Sequence, residues 1–259
     1  MTAAVAGATY VIHIASPLSG NLTTEEDYKP AVDGTMAVVR ACSQHRVRRC
    51  VITSSIAACM NMLPGDKPDL LNESHWSVVE GNNKITKYGK SKTLAEKAAW
   101  DFKASLQPEQ DFELVTILPG FVMGPPLRTE HTASVGFIKR LINGEMAEIK
   151  DDGCGVVDVR DVAYAHLAAI QKPAAAGHRF ILVNFGAKFI EFAQPIIDKY
   201  VPLGWNVSQT KGVPNPDAII TQFDNTASRE VLGVQYRDFT QTMVDMADKC
   251  VELGIVTKP

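Results

Sequence analysis

"RRCVITSS", residues 48–55, opens on two arginines, runs through Cys50, Val51 and Ile52, and closes on three hydroxyls. Apolar residues fill consecutive positions at its centre, so the strand it predicts is buried on both faces, the pattern of a parallel strand inside a sheet. Upstream, "EEDYKPAVDGTMAVVRACSQH" (25–45) spaces Val32, Met36, Val39 and Cys42 as a helix does, with acidic residues at its start. Before that, "TYVIHIAS" (9–16) reads as another short buried strand. Downstream, a loop with Pro64, Gly65 and Pro68 leads to an amphipathic run, "YGKSKTLAEKAAWDF" (88–102), and then to a strand, "FELVTILPG" (112–120). Strand and helix therefore alternate, which predicts an α/β fold with a parallel sheet.

The alternation continues with helices near 134–143 and 161–171, a strand over 179–183, and helices near 188–200, 225–232 and 239–253. Prolines and loops are denser after residue 124, as expected of a smaller lobe. The 259 residues, 46% of them apolar, suffice for a substantial core. A net charge of −3 gives no basic field for nucleic acid or an anionic membrane. Five scattered cysteines, with no C-x-x-C pair, predict reduced thiols and a cytoplasmic protein rather than a disulfide framework or a metal site. The apolar start lacks a basic leader region, and no stretch has the ~18 apolar residues of a membrane span.

In open α/β sheets ligands bind at the carboxyl ends of the strands. Three strands here end in "HIASP", "ITSSIAA" and "ILPGFVMGPPL". Tyr88 and Lys92 lie one helical turn apart on one face, whereas Lys90 points nearly the other way, into solvent. A phenol has a pKa of ~10, and moving it ~3 units toward neutrality takes about 4 kcal/mol of help from a cation. Alone, the pair equally fits a half-buried tyrosine and a surface lysine on an ordinary helix. Ser55 adds to it, because two hydroxyls on one carbonyl oxygen polarise it for hydride attack. Thr53 and Ser54 are expected to bond backbone at the strand end. "PGFVMGPP" (119–126) reads either as a turn against which a planar ring could lie or as a plain strand exit. Asp161 reads as a helix N-cap, His166 as a packed histidine, and "FGAKFIEF" (185–192) as core.

Together these segments resemble the extended short-chain dehydrogenase/reductase family. The branch is that of dihydroflavonol reductases, cinnamoyl-CoA reductases and fungal ketone and aldehyde reductases, within the NAD-dependent epimerase/dehydratase superfamily. The resemblance is carried, in order, by "VIHIASP", "KPAVDGTMAVVRAC", "RRCVITSSIAA", "YGKSKTLAEKAAWDF", "LPGFVMGPPL", "DVRDVAYAHLAAI" and "NTASREVLGV". It implies a Rossmann-type sheet over 1–124, rejoined by 156–184, and a substrate lobe of 125–155 and 185–259. It implies Ser55, Tyr88 and Lys92 as catalytic residues. Ala15, Ser16, Tyr88, Lys92, Pro119, Gly120 and Val122 would border the cofactor, NADP(H) ahead of NAD(H), and no metal is expected. The substrate would be a small carbonyl compound, reduced to an alcohol in a pocket lined by 126–136 and 184–220.

The glycine loop of that family cannot be written here. No two of the 18 glycines are three residues apart, so the G-x-G-x-x-G turn that cradles a pyrophosphate has no candidate. The resemblance implies that the first three strands, roughly 60–80 residues at ~30 per βαβ unit, are missing. "TYVIHIA" is then an exposed edge through which the chain could self-associate. Two alternatives remain open at this point: a non-catalytic isoform acting by partner binding, and an epimerase or dehydratase of the same superfamily.

Overall fold

The computed structural model describes residues 1–16, 25–63, 65–66, 68–129, 133–215 and 220–258. In chain order the elements are α1 (Thr2–Val5), β1 (Tyr10–His13), α2 (Glu25–Gln44), β2 (Arg49–Thr53), β3 (Leu70–Leu71) and α3 (Lys87–Ala104). There follow β4 (Glu113–Pro119), β5 (Phe121–Met123), α4 (Ala133–Ile142), β6 (Gly153–Asp158), α5 (Val159–Gln171) and β7 (Arg179–Leu182). The chain ends with β8 (Phe185–Lys188), α6 (Phe189–Tyr200), β9 (Gln222–Phe223), α7 (Thr226–Glu230) and α8 (Phe239–Glu252). Two compact units emerge. One comprises Met1–Pro119, Tyr164–Leu182 and Asp224–Val234, the other Gly120–Ala163, Val183–Phe223 and Gln235–Pro259.

In the first unit β1, β2, β4 and β7 form a sheet in that order, parallel throughout, as the apolar runs predict. Ile12 pairs with Val51, and Val51 with Val115. Cys50, Ile52 and Leu114 face a core built with Val38, Val39 and Cys42 of α2 and Ala99 of α3. The other face of β2 reaches α5, and there Arg49 has a specific task. Only 1% exposed, it pairs with Glu113 at 2.7 Å. It also donates to the carbonyls of Ala169, Ile170 and Lys172 at 2.6–3.0 Å. Those carbonyls lie at the end of α5, where a helix has no backbone donors left. A charged residue at a strand start is thus the cap of a helix far away in sequence.

Among the described residues β1 is an edge strand, paired with β2 alone. Val11 packs into the core, while Ile12 and Ile14 are 41% and 64% exposed.

The second unit holds a sheet that the sequence reading does not contain. β5 runs parallel to β6 and β8 runs antiparallel to it. The sequence offers a turn or strand exit over 119–126 and a core cluster over 185–192 instead, because glycines break the apolar pattern of these segments. The glycines permit close backbone approach: a Cβ on Gly120 would sit 2.4 Å from the Gly155 carbonyl oxygen, and one on Gly153 would sit 2.1 Å from that of Ala187. α4, α6 and α8 cover this sheet with a core centred on Phe192, Ile138, Leu141 and Met243. Phe192 stacks on Phe121 and meets Phe137, Phe189 and Phe239 edge-on, so Phe189 and Phe192 belong to the core as expected, whereas Phe185 is 36% exposed. One expectation fails nearby. Asp161 lies inside α5, is 2% exposed, and accepts from the Arg237 backbone N–H (2.9 Å) and guanidinium. The capping role belongs to Asp158, which accepts from the Arg160 N–H at 2.7 Å. Pro17 of the first strand end, and 130–132 and 216–219 of the expected pocket lining, lie outside the described residues.

Candidate active site

β2 delivers Ser54 and Ser55 to the carboxyl end of the sheet. Ser55 keeps an extended backbone and caps a short turn over Ile56–Ala58, its Oγ accepting from the Ala57 N–H at 3.2 Å. The turn is held from behind, because the Ala57 carbonyl accepts from both Ser77 Oγ and Asn61 Nδ2 at 2.8 Å. α3 begins beside it. Thr86 caps that helix by accepting from the Gly89 N–H at 3.0 Å. Gly89 has no side chain where a Cβ would lie 2.9 Å from Asn61 Nδ2, so the loop packs directly on the first turn of α3. This sets the phenol of Tyr88 beside the hydroxyl of Ser55, close enough for that hydroxyl to lower its pKa.

Lys92, four residues on, is 8% exposed, and its Nζ lies 6.0 Å from the centre of the Tyr88 ring. Nζ donates to the Thr53 carbonyl at 3.3 Å. Burial lowers its pKa to about 8, against the pull of the Glu96 carboxylate. The Tyr88 phenol is shifted up by burial, with the Ser55 hydroxyl opposing. The lowering expected from Lys92 is thus not supplied by the protein alone, since the ammonium lies against the ring and the buried phenol disfavours its anion.

A lysine whose folded pKa is depressed costs stability wherever it is charged. The cost is full below about pH 8 and fades as pH rises toward its ordinary 10.5. Lys92→Met is therefore expected to raise stability at pH 7 by about 2 kcal/mol, an advantage that shrinks above pH 10. Urea denaturation at both pH values checks this, and a variant less stable than the parent at pH 7 would contradict it.

The neighbouring side chains depart from expectation in instructive ways. Ser54 Oγ donates to Glu96 at 2.6 Å, and Thr53 Oγ1 lies 2.7 Å from His166 Nε2, so both hydroxyls bond side chains rather than backbone. Lys90 is half-buried with Nζ 5.2 Å from the Tyr28 ring centre, not free in solvent. Glu96 is the residue that sequence reasoning missed. It is 1% exposed and accepts from Ser54 of β2, Thr116 of β4 (2.7 Å) and Arg179 of β7 (2.8 Å). Arg179 in turn stacks over Trp76 at 3.7 Å and donates to the carbonyls of Glu73 and His75. The one available signal for Glu96 was its spacing, four residues beyond Lys92 and eight beyond Tyr88, on the same helix face.

Ala15 and Ser16 follow β1. Together with His13, Thr35, Thr53, Ser54 and Lys92 they line one small cavity at the carboxyl ends of β1 and β2. Pro119 closes β4 and is buried in the first unit; Gly120 and Val122 belong to the second.

With this geometry in place, the chain can be set beside known proteins. Residues 1–217 match the 3-beta hydroxysteroid dehydrogenase/isomerase family. The chain belongs to that family. Cinnamoyl-CoA reductase 1 of Arabidopsis thaliana is 32% identical over 256 residues, covering 98% of this chain and 72% of that protein. The NADPH-dependent methylglyoxal reductase of Saccharomyces cerevisiae is 29% identical over 262 residues, covering 93% and 76%. Among solved structures, Gre2 of Candida albicans in complex with NADPH superimposes with a TM-score of 0.82 at 29% identity, covering 97% of this chain and 79% of that one. The α/β fold with its parallel sheet is thus that of a Rossmann-like reductase.

Proposed function

We propose that this chain is an NADPH-dependent oxidoreductase that reduces a ketone or aldehyde carbonyl to an alcohol, with Ser55, Tyr88 and Lys92 as its catalytic residues. The observation that carries the assignment is the juxtaposition of the Tyr88 phenol and the Ser55 hydroxyl beyond the end of β2, with the buried ammonium of Lys92 one turn away. Its family relatives include a cinnamoyl-CoA reductase and an NADPH-dependent methylglyoxal reductase.

The residues present fit a dinucleotide's nicotinamide end. Lys92 makes a hydrogen bond with Thr53 and lines a cavity to which Ala15 and Ser16 contribute small side chains. An ammonium has further N–H donors for sugar hydroxyls. Lys92 would hold the ribose, with Ala15 and Ser16 beside the phosphates, and Pro119, Gly120 and Val122 would border the ring. NADPH supplies the hydride when bound. The chain's own residues handle the oxygen: Ser55 Oγ and Tyr88 Oη both donate to the carbonyl, stabilising the charge that grows there. Tyr88 then gives its proton to the alkoxide oxygen. A phenol held neutral by burial is the right starting state for that donation.

Fluorescence titration with NADPH tests the reading, followed by cofactor consumption with 2-oxoaldehydes, aryl ketones and cinnamoyl thioesters. Saturable binding and turnover of at least one class are expected. Absence of both sinks the proposal.

The reading extends to compartment and assembly. The five cysteines are free thiols, four of them buried, which suits a reducing cytoplasm. Among the described residues no helix is long and apolar enough to cross a membrane. The open edge of β1, with Ile12 and Ile14 exposed, is where self-association would occur. Ile12→Lys is expected to shift the chain toward monomer in sedimentation, and an unchanged distribution would remove the edge from consideration. Val11, half-buried against the core, is unsuitable for that test.

A further inference from the structure

One titratable side chain at the carboxyl end of the sheet has no part in the reduction just described. His13 ends β1. The strand's alternation turns Val11 and His13 toward α2, and His13 Nε2 lies 3.4 Å from Thr35 Oγ1 of that helix. His13 and Lys92 line the same small cavity, together with the hydroxyl-bearing residues Ser16, Thr35, Thr53 and Ser54. An ammonium carries three N–H donors, and among the described residues the hydrogen bond found for Lys92 goes to Thr53. Buried donors are rarely left without partners, and a polar cavity with two to four such groups around it has room and partners for one ordered water.

We propose that His13 is a positioning residue for Lys92: its neutral imidazole accepts a hydrogen bond from a water in their shared cavity, and that water accepts from the Lys92 ammonium. The bridge fixes Nζ at the face of the Tyr88 ring. It rests on the reductase reading only for its catalytic consequence; the coupling of the two side chains stands apart from it. Among the described residues the titratable groups lining this cavity are Lys92 and Glu96 of α3 and His13 of β1, with Tyr88 beside Lys92 and His166 of α5 behind Thr53. α2 and β2 present hydroxyls there. Burial, and then the charge on Lys92, lower the pKa of His13 from its ordinary 6.5, so the imidazole is neutral at pH 7 and keeps its acceptor. Protonating it at lower pH removes that acceptor and sets a second cation beside the first.

The test is a pair of NMR titrations on the whole chain, following 15N-labelled imidazole and lysine side chains. In the parent protein the His13 ring signals should move a second time as Lys92 loses its proton near pH 8. In Lys92→Met the His13 pKa should rise by a few tenths of a unit or more, because one of the two causes lowering it is gone. In His13→Leu the proton affinity of Lys92 should fall about tenfold, whereas His13→Asn, which retains an acceptor for the water, should change it less than threefold. In turnover, His13→Leu should lower kcat and displace the acid side of the pH profile with KM for the carbonyl little changed, and His13→Asn should restore most of the loss. His13 signals that ignore the Lys92 titration, together with an unshifted His13 in Lys92→Met, overturn the proposal even if His13→Leu does not fold. A chain inactive on every carbonyl tried would sink the reductase reading, yet the titrations would still decide the coupling.

Discussion

Tyr88→Phe is expected to cut carbonyl turnover by about a thousandfold while changing NADPH affinity less than about threefold. The substitution removes one oxygen and leaves the ring against which Lys92 packs at 6.0 Å. The other groups assigned to the cofactor, Lys92, Ala15, Ser16, Pro119, Gly120 and Val122, thus keep their side chains. What is lost is the only phenolic donor beside Ser55 in the described site, and a positioned general acid contributes typically 10²–10⁴-fold. Ser55 remains to polarise the carbonyl, so the residual rate should still respond to Ser55→Ala. Steady-state kinetics beside a fluorescence titration separate the two effects. Near-parental turnover would remove Tyr88 from the role of acid. A parallel collapse of NADPH binding would show instead that the hydroxyl holds the site together.

The largest stability effect is expected at Glu96, one turn beyond Lys92. Its carboxylate is fully buried and joins three strands to α3 through Ser54, Thr116 and Arg179. Glu96→Ala leaves the Arg179 guanidinium, itself only 9% exposed, without the carboxylate it pairs with, and strands two hydroxyls. Breaking a buried pair from one side costs about 3–5 kcal/mol, a large share of the ~5–15 kcal/mol that a domain has in hand. Glu96→Gln keeps the shape and an acceptor and should cost less. Replacing the whole set, Glu96→Leu with Arg179→Met, should recover part of the loss, since the penalty comes from the orphaned charge and not from the absence of the pair. Urea midpoints measure all three. A loss below about 1 kcal/mol in Glu96→Ala would mean that water reaches the guanidinium and the network is not sealed.

These two residues mark how far the amino-acid order could be read. Tyr88 and Lys92 were legible because a helix has one period, and residues four apart share a face whatever surrounds them. Ser55 was legible because a buried parallel strand exposes its polar chemistry only at its end. Glu96 satisfies the same periodic rule, yet nothing local distinguishes a buried glutamate from a solvated one. Its meaning depends on Arg179, 83 residues away, and on Thr116, 20 residues away. The aim of Lys92 was likewise not legible. Spacing puts it on the face of Tyr88, but only packing decides that the ammonium lies over the ring and that burial moves both pKa values away from the expected pairing.

Short-range periodicity in apolar side chains is enough to place the parallel sheet of the first unit and the helices that cover it. The helical four-residue spacing and the polar end of a buried strand place Tyr88, Lys92 and Ser55, and the resemblance suggests what they do. The mixed sheet of the second unit was decided only in three dimensions. Its strands are short and broken by glycine, and Gly120, Gly153 and Gly155 make sense only once the carbonyl or side chain that approaches each of them is in place. Arg49 and Asp161 belong to the same class. A charge in an apolar run looks like an exception until the fold brings it the carbonyls of a helix end or the guanidinium of Arg237. Burial of a charge is a property of the partners it meets, and those partners come from distant parts of the chain.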